Sequence, residues 1–125
     1  MYEIGVMAQF EAAHRLVGDF GPATRLHGHT YRLEVIVRGE RLHADGALYD
    51  IGALRAAVDA LAASLHYRDL GEVPGLAGVN TTAEAVAHHC WETLAPPLRG
   101  RLASLLVRVW ESPQVYAARD DALVP

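Results

Sequence analysis

The chain has 125 residues, of which 51% are hydrophobic and 21% are charged, and its formal net charge is -4. This length suits one domain over residues 1–125, with a composition typical of proteins that fold around an apolar core. The acidic balance disfavours a nucleic-acid partner, because binding to phosphates requires a basic face. The sequence has neither an apolar run long enough for a membrane span nor an N-terminal secretory signal, which predicts a cytoplasmic protein.

The hydrophobic pattern predicts an α+β domain with the order ββααββ. Residues 2–14 are rich in β-forming side chains, and alternation within residues 26–40 predicts a second strand. Helical spacing predicts an amphipathic helix from residue 51 with Asp50 as its N-cap, and a second helix follows residues 80–82. Two β-rich runs around residues 112–113 predict a C-terminal hairpin. We expect one antiparallel four-stranded sheet, covered on one face by the two helices.

Three histidines form the first candidate site. His27 and His29 are two residues apart in a predicted strand, so both imidazoles point to the same face. His14 ends the neighbouring predicted strand, which makes a three-nitrogen site with an open fourth position, as in catalytic zinc centres. The alternative is three histidines without a metal, since pairs with this spacing also occur by chance.

Two groups of polar residues are candidates for binding and acid/base chemistry. Glu111 ends a predicted strand, where its carboxylate can accept two parallel hydrogen bonds from a guanine-like or pterin ring, or simply be solvated. His66, Tyr67 and Asp69 follow the first helix and form a possible acid/base group, although they can also be ordinary helix-end residues. Thr82 lies in a polar cluster that helix capping alone explains.

Several short motifs together resemble the 6-pyruvoyl-tetrahydropterin synthase family, which includes the bacterial 6-carboxy-tetrahydropterin synthases. They are FEAAH at 10–14, LHGHTY at 26–31, YD at 49–50, NTTAE at 80–84 and WES at 110–112. The resemblance implies the T-fold, assembled into barrel-like oligomers, by expectation homo-hexamers, with active sites between subunits. It also implies that His14, His27 and His29 bind zinc, that Glu111 anchors the ring of a reduced pterin, and that Thr82 supports this ring.

The chain departs from the family pattern at its proton carriers. Ala23 occupies the place of the family's catalytic cysteine, and Cys90, the one cysteine, lies in the second predicted helix. His66 and Tyr67 replace the family's Asp-His pair, which leaves them as acid/base candidates, with Asp69 as a possible partner of His66.

Three interpretations therefore remain open at the level of sequence. The first is a zinc-dependent lyase acting on the side chain of dihydroneopterin triphosphate or a related reduced pterin, including an aldol-type C–C cleavage. The second is a non-catalytic homologue that binds a pterin or purine-like ligand. The third is a metal-binding structural protein without a ligand.

Overall fold

Five strands and two α-helices make up residues 1–124, the part of the chain that the computed structural model describes. The strands are β1 (Tyr2–His14), β2 (His27–Gly39), β3 (Arg68–Asp69), β4 (Ser104–Ser112) and β5 (Val115–Ala122). The helices are α1 (Ile51–Leu65) and α2 (Ala83–Leu94). Short 3-10 turns lie at Gly21–Thr24, Leu70–Glu72 and Pro96–Leu98.

The strands form a single sheet in the order β3-β1-β2-β4-β5. Neighbours pair in antiparallel fashion except β3, whose two residues run parallel to Ala12 and Ala13 of β1. The α+β class and the order of the six predicted elements are confirmed, whereas the four-stranded antiparallel sheet is corrected to five strands by the short parallel strand β3 between α1 and α2. A two-residue strand has no periodicity of its own, so residues 68–69 read as loop in the sequence.

The two helices cover one face of the sheet, and the core lies between the helices and this face. Alternate residues of each strand point into this core, as period two requires. Ridges of α1 and α2 pack against them, and the indole N–H of Trp91 donates a hydrogen bond to the Leu105 carbonyl at 2.8 Å. Core residues with 0% exposure include Phe10, Tyr31, Leu33, Val35, Val37, Val58, Leu65, Val86, Cys90, Leu105 and Val107.

Both helices begin with a side-chain cap. The carboxylate of Asp50 accepts a hydrogen bond from the Ala53 N–H at 3.1 Å, which confirms Asp50 as the N-cap of α1. The hydroxyl oxygen of Thr82 accepts from the Ala85 N–H, also at 3.1 Å, and starts α2. Each cap satisfies a backbone donor that the helix cannot pair internally. Within residues 1–124, neither helix is long and apolar enough to cross a membrane.

Candidate metal and ligand site

The register between β1 and β2 brings the three histidines together. His14 lies directly opposite His27, and His29 follows two residues later on the same face of the sheet. The ring centroids are 4.5 Å apart for His14 and His27, 5.1 Å for His14 and His29, and 4.8 Å for His27 and His29. One nitrogen from each ring lies within 4.8 Å of the other two. The predicted cluster is therefore formed, at the end of the helix-covered face.

Backbone carbonyl groups hold two of the three imidazoles. His14 Nδ1 lies 2.7 Å from the Thr81 carbonyl oxygen, and His27 Nδ1 lies 2.7 Å from the Arg25 carbonyl oxygen. A carbonyl oxygen only accepts, so the neutral ring must carry its proton on Nδ1 and donate it there. The Nε2 lone pairs of His14 and His27 are then available, which is how metal-ligating histidines are usually held.

The electrostatics of His29 favour its neutral form. Burial lowers the pKa of His29, and the neighbouring charges of His14 and His27 lower it further, although the nearby carboxylate of Glu111 acts in the opposite direction. A neutral imidazole is the form that binds a metal, since a proton and a cation compete for the same lone pair. The surroundings of His29 therefore favour the protonation state that a metal ligand needs.

The unpaired Nε2 of His14 indicates whether these residues suit a metal ion. His14 is 1% exposed, and its Nε2 is one of two buried side-chain atoms in residues 1–124 that lack a hydrogen-bond partner. Burying a polar atom without a partner is costly, and a cation held by the three imidazoles would remove that cost. Three imidazole nitrogens suit a divalent transition metal. The three histidines therefore fit a bound metal ion.

Glu111 reaches the same end of the sheet through an irregularity in strand pairing. Trp110 pairs with Tyr116 and Ser112 pairs with Val115, so Glu111 is the extra residue of a β-bulge. Bulges re-aim a side chain and are common beside functional sites. Trp110 pairs with Arg32 of β2, so Glu111 comes next to the level of Tyr31, whose ring contacts His29.

Tyr31 supplies the other unpaired buried atom. Its ring is fully buried, stacks on Phe10 with centroids 4.9 Å apart, and lies 5.3 Å from the ring of His29. Its hydroxyl has no hydrogen-bond partner within residues 1–124. Burial, and then the charge of Glu111, raises the pKa of this hydroxyl, so that it stays protonated and remains a donor. The sequence pattern identified Tyr31 only as a residue of the second strand.

Thr81 and Thr82, the two residues just before α2, contribute polar groups beside the histidine cluster. Thr82 uses its hydroxyl oxygen to cap α2, which leaves its hydroxyl proton for another acceptor. Thr81 is 3% exposed and provides the carbonyl oxygen that holds His14. The roles of the Thr81 and Arg25 carbonyl groups cannot be predicted from the sequence, because every residue has a main-chain oxygen.

The proposed acid/base residues lie at the edge formed by β1 and β3. The His66 and Tyr67 rings stack with centroids 4.0 Å apart, and His66 Nδ1 accepts a hydrogen bond from the Glu11 N–H at 3.0 Å. Tyr67 is 78% exposed and has a φ of 55°, which is unusual for a residue other than glycine. Asp69 accepts from the Gly71 N–H at 3.0 Å. Tyr67, Asp69 and His29 line one open cavity of about 540 Å³.

Ala23 lies in the loop between β1 and β2. Its carbonyl oxygen accepts a hydrogen bond from the Leu16 N–H at 2.9 Å, and its methyl group is half-buried. A methyl group carries no proton that can be transferred at physiological pH. Cys90 provides no substitute, because it is fully buried in α2, and burial raises the pKa of its thiol to about 12.

Fold and site together define an α+β protein with a three-histidine cluster and a carboxylate at one end of a helix-covered sheet. Residues 3–121 match the family model described as 6-pyruvoyl tetrahydropterin synthase. The chain belongs to this family, as its motifs predicted.

Three named relatives show the range of the family. A putative 6-carboxy-5,6,7,8-tetrahydropterin synthase of Pyrococcus horikoshii is 28% identical, with 94% of this chain and 88% of the relative covered. A dihydroneopterin monophosphate aldolase of Pyrococcus furiosus is 32% identical, covering 83% and 84%. The structure of Caenorhabditis elegans 6-pyruvoyl tetrahydropterin synthase superimposes with a TM-score of 0.81 and 25% identity, covering 96% of this chain and 95% of that one. All three names denote enzymes of pterin chemistry.

The geometry of the cluster predicts that metal binding depends on its histidines, such as His27, and not on histidines outside the cluster. We expect His27→Ala to lose most of the bound zinc, whereas His43→Ala, in the turn before α1, retains it. Zinc at about 100 times its Kd should stabilise the wild type by about 2.7 kcal/mol and leave His27→Ala unchanged. Elemental analysis and thermal unfolding measure both quantities, and equal zinc content in all three proteins would remove the assignment.

The unpaired hydroxyl of Tyr31 predicts a substitution that does not weaken the metal-free protein. Tyr31→Phe keeps the stack on Phe10 and removes a buried donor, so the free energy of unfolding should stay unchanged or rise by up to about 2 kcal/mol. Trp91→Phe, which removes a donor that is paired with Leu105, should lower it. Chemical denaturation of both variants gives the comparison. A loss above about 1 kcal/mol in Tyr31→Phe would mean that the hydroxyl has a partner.

Proposed function

We propose that this protein is a zinc-dependent lyase that acts on the side chain of a reduced pterin. The observation that carries the proposal is the shared placement of two kinds of group. Three imidazoles that suit a metal ion lie at one end of the sheet, and Glu111 lies at the same end, one residue past the pair of Trp110 and Arg32. One group handles the reacting side chain of the ligand and the other holds its ring.

The metal ligands would be His14, His27 and His29. A bound zinc ion polarises oxygen ligands and lowers the pKa of their protons, which is the chemistry that a substrate side chain with neighbouring hydroxyl groups needs. The chain contributes the orientation, since the Thr81 and Arg25 carbonyl groups fix two of the rings before any ion arrives. Its three ligands leave a fourth position for a substrate oxygen.

Glu111 would bind the ring of the pterin. An ionised carboxylate accepts two parallel hydrogen bonds, and the amino group and adjacent ring N–H of a pterin form a matching pair of donors. The bulge at Glu111 supports this role, because it releases the residue from regular pairing with β5. The hydroxyl proton of Thr82 is the second group that we assign to ligand binding.

The reaction we favour is a retro-aldol cleavage of the pterin side chain. A base takes the proton from the hydroxyl on the second side-chain carbon, and the bond between the first and second carbons breaks. The electron pair moves into the C6=N5 imine of the dihydropterin ring, and protonation at the first carbon completes the step. Ala23 supports this choice over the family's triphosphate elimination, because the cysteine of that reaction is missing. The relative named as an aldolase supports it as well.

Tyr67 and His66 are the proposed acid/base residues, with Asp69 beside them. Tyr67 and Asp69 share a cavity with His29, which supports a role near the metal. His66 Nδ1 accepts from the Glu11 N–H, so His66 has its proton on Nε2 and would act through that nitrogen. In the homo-hexamer that the family resemblance suggests, these residues would complete a site between subunits.

A second candidate is a pterin- or purine-binding protein without turnover. Ala23 favours it, because loss of one member of a coupled proton relay can remove most of the rate. This candidate keeps the roles of Glu111 and the three histidines and differs only in chemistry. Product analysis therefore separates the two functions.

The test is to incubate the zinc-loaded protein with dihydroneopterin triphosphate and with the monophosphate, and to identify products by chromatography and mass spectrometry. We expect a hydroxymethyl-dihydropterin and a two-carbon aldehyde fragment. Glu111→Gln should weaken pterin binding by about 10- to 100-fold, because it loses a charge-assisted hydrogen bond. Glu40→Gln, at an exposed position just beyond β2, is the matched control. Binding without products would contradict the lyase and support the second candidate.

The same assay tests the acid/base residues. Tyr67→Phe removes only the hydroxyl, and His66→Ala removes the ring. If either residue transfers a proton, kcat should fall by about 100-fold or more, with little change in pterin binding. Turnover at the wild-type rate in both variants would remove this assignment and leave the metal and Glu111 roles intact.

A further inference from the structure

The loop of residues 15–26 joins two of the three histidines and has no buried residue. Three of its large apolar side chains are exposed, with 74% for Val17, 43% for Phe20 and 52% for Leu26. Apolar burial therefore contributes little to the order of this loop. Its conformational entropy must be opposed by hydrogen bonds instead, and the loss of one such bond has a large effect on a segment held in this way.

Asn80 makes the hydrogen bonds that tie this loop to the rest of the domain. Its side-chain oxygen accepts from the Val17 N–H at 2.9 Å, and its side-chain NH2 donates to the Val17 carbonyl at 3.0 Å. Both backbone groups of Val17 are thus satisfied by one amide, as they would be by a neighbouring strand. Asn80 is half-buried and lies 63 positions away in sequence, so the contact is tertiary rather than local.

A series of backbone hydrogen bonds continues from this contact to His27. The Leu16 N–H, next to Val17, donates to the Ala23 carbonyl at 2.9 Å. The Arg25 N–H then donates to the Pro22 carbonyl at 3.1 Å, which places the Arg25 carbonyl 2.7 Å from His27 Nδ1. These bonds connect Val17, which Asn80 holds, to Arg25, which holds His27.

The residue after Asn80 holds the second histidine. The Thr81 carbonyl lies 2.7 Å from His14 Nδ1, and its hydroxyl lies 3.4 Å from the same nitrogen. Two successive residues thus act on the two ligands at opposite ends of the loop. Asn80 is connected to His27 through the hydrogen bonds of the loop, and Thr81 contacts His14 directly.

We propose that Asn80 is a positioning residue of the metal site, which closes the loop of residues 15–26 and so presets His27 for binding. Because binding and closure are linked, the factor by which closure strengthens metal binding equals the factor by which the metal strengthens closure. The proposal rests on the metal binding assigned above. It concerns zinc affinity and loop order, and it does not depend on which pterin is the substrate.

Asn80→Ala is the principal variant, with two measurements. Hydrogen exchange of the Leu16 and Val17 amides, measured in the zinc-free protein, should be at least about 10-fold faster than in the wild type. Zinc affinity, measured by competition with a chelator, should fall by about 3- to 30-fold, at or below the usual effect of removing a group that orients a ligand. In the wild type, zinc should slow exchange of the same two amides, and in Asn80→Ala it should slow them by a smaller factor, because a loop that closes less often gains less from the metal.

Three further variants separate positioning from a general loss of stability. Asp50→Ala removes the cap of α1, far along the chain from the loop, and should lower the unfolding temperature without changing zinc affinity. Thr24→Ala removes a hydrogen bond within the loop, from its hydroxyl to the Gly21 carbonyl, and should leave exchange at Val17 unchanged. Asn80→Asp retains an acceptor for the Val17 N–H and should lie between Asn80→Ala and the wild type.

The outcomes distinguish this proposal from the proposed function. Wild-type zinc affinity in Asn80→Ala, with faster exchange at Val17, would overturn the coupling and leave the metal site intact. An equal loss of affinity in Asn80→Ala and Asp50→Ala would overturn it as well, since stability alone would then explain the effect. Failure of the wild type itself to bind zinc through His27 would contradict the metal site and the coupling together. Pterin turnover is not part of any of these results.

Discussion

Two hydrogen bonds from imidazoles to backbone carbonyl groups determine what this site can do. The Thr81 and Arg25 carbonyls fix the Nδ1 protons of His14 and His27, each at 2.7 Å, and leave both Nε2 lone pairs available. A ring held in the other tautomer would present a proton where an ion has to bind. The availability of these lone pairs therefore depends on the two segments that carry the carbonyl groups. These segments are the loop between β1 and β2 and the residues just before α2.

The fold explains why such a site can exist at the end of a packed core. His14 continues the buried row of β1 after Phe10 and Ala12, and His29 continues the row of β2 before Tyr31. Helix packing excludes water from these rows, so the unpaired polar atoms of His14 and Tyr31 are costly in the metal-free chain. Such a cost is expected where a protein trades stability for a binding site.

Much of the fold followed from periodicity, because β1, β2, α1 and the C-terminal hairpin are long or strongly patterned. The short strand β3 was missed, since pairing with Ala12 and Ala13 defines it rather than any feature of Arg68 and Asp69. At the site, residue spacing was enough to bring the histidines together. Three features of the site could not be predicted from the sequence, because backbone geometry and tertiary contacts produce them. They are the bulge at Glu111, the hydrogen bonds between Asn80 and Val17, and the two carbonyl groups that orient the imidazoles.

Ala23 limits how far family membership predicts chemistry. The chain keeps the three histidines and Glu111 of the family pattern and lacks its cysteine, so membership of the family does not by itself establish turnover. A second departure from the pattern lies at the β1–β3 edge, where Tyr67 combines an exposed ring with a positive φ. Backbone conformations of this kind are often retained at functional sites.

The tautomers of His14 and His27 should already be fixed in the zinc-free protein, because backbone carbonyl groups hold the rings before a metal arrives. Long-range proton–nitrogen correlation spectra of the zinc-free, ¹⁵N-labelled protein, recorded where the imidazoles are neutral, report the tautomer of each ring. We expect the Nδ1–H tautomer for His14 and His27, and the Nε2–H tautomer for His66, whose Nδ1 accepts from the Glu11 N–H. An Nε2–H tautomer at His14 or His27 would contradict it.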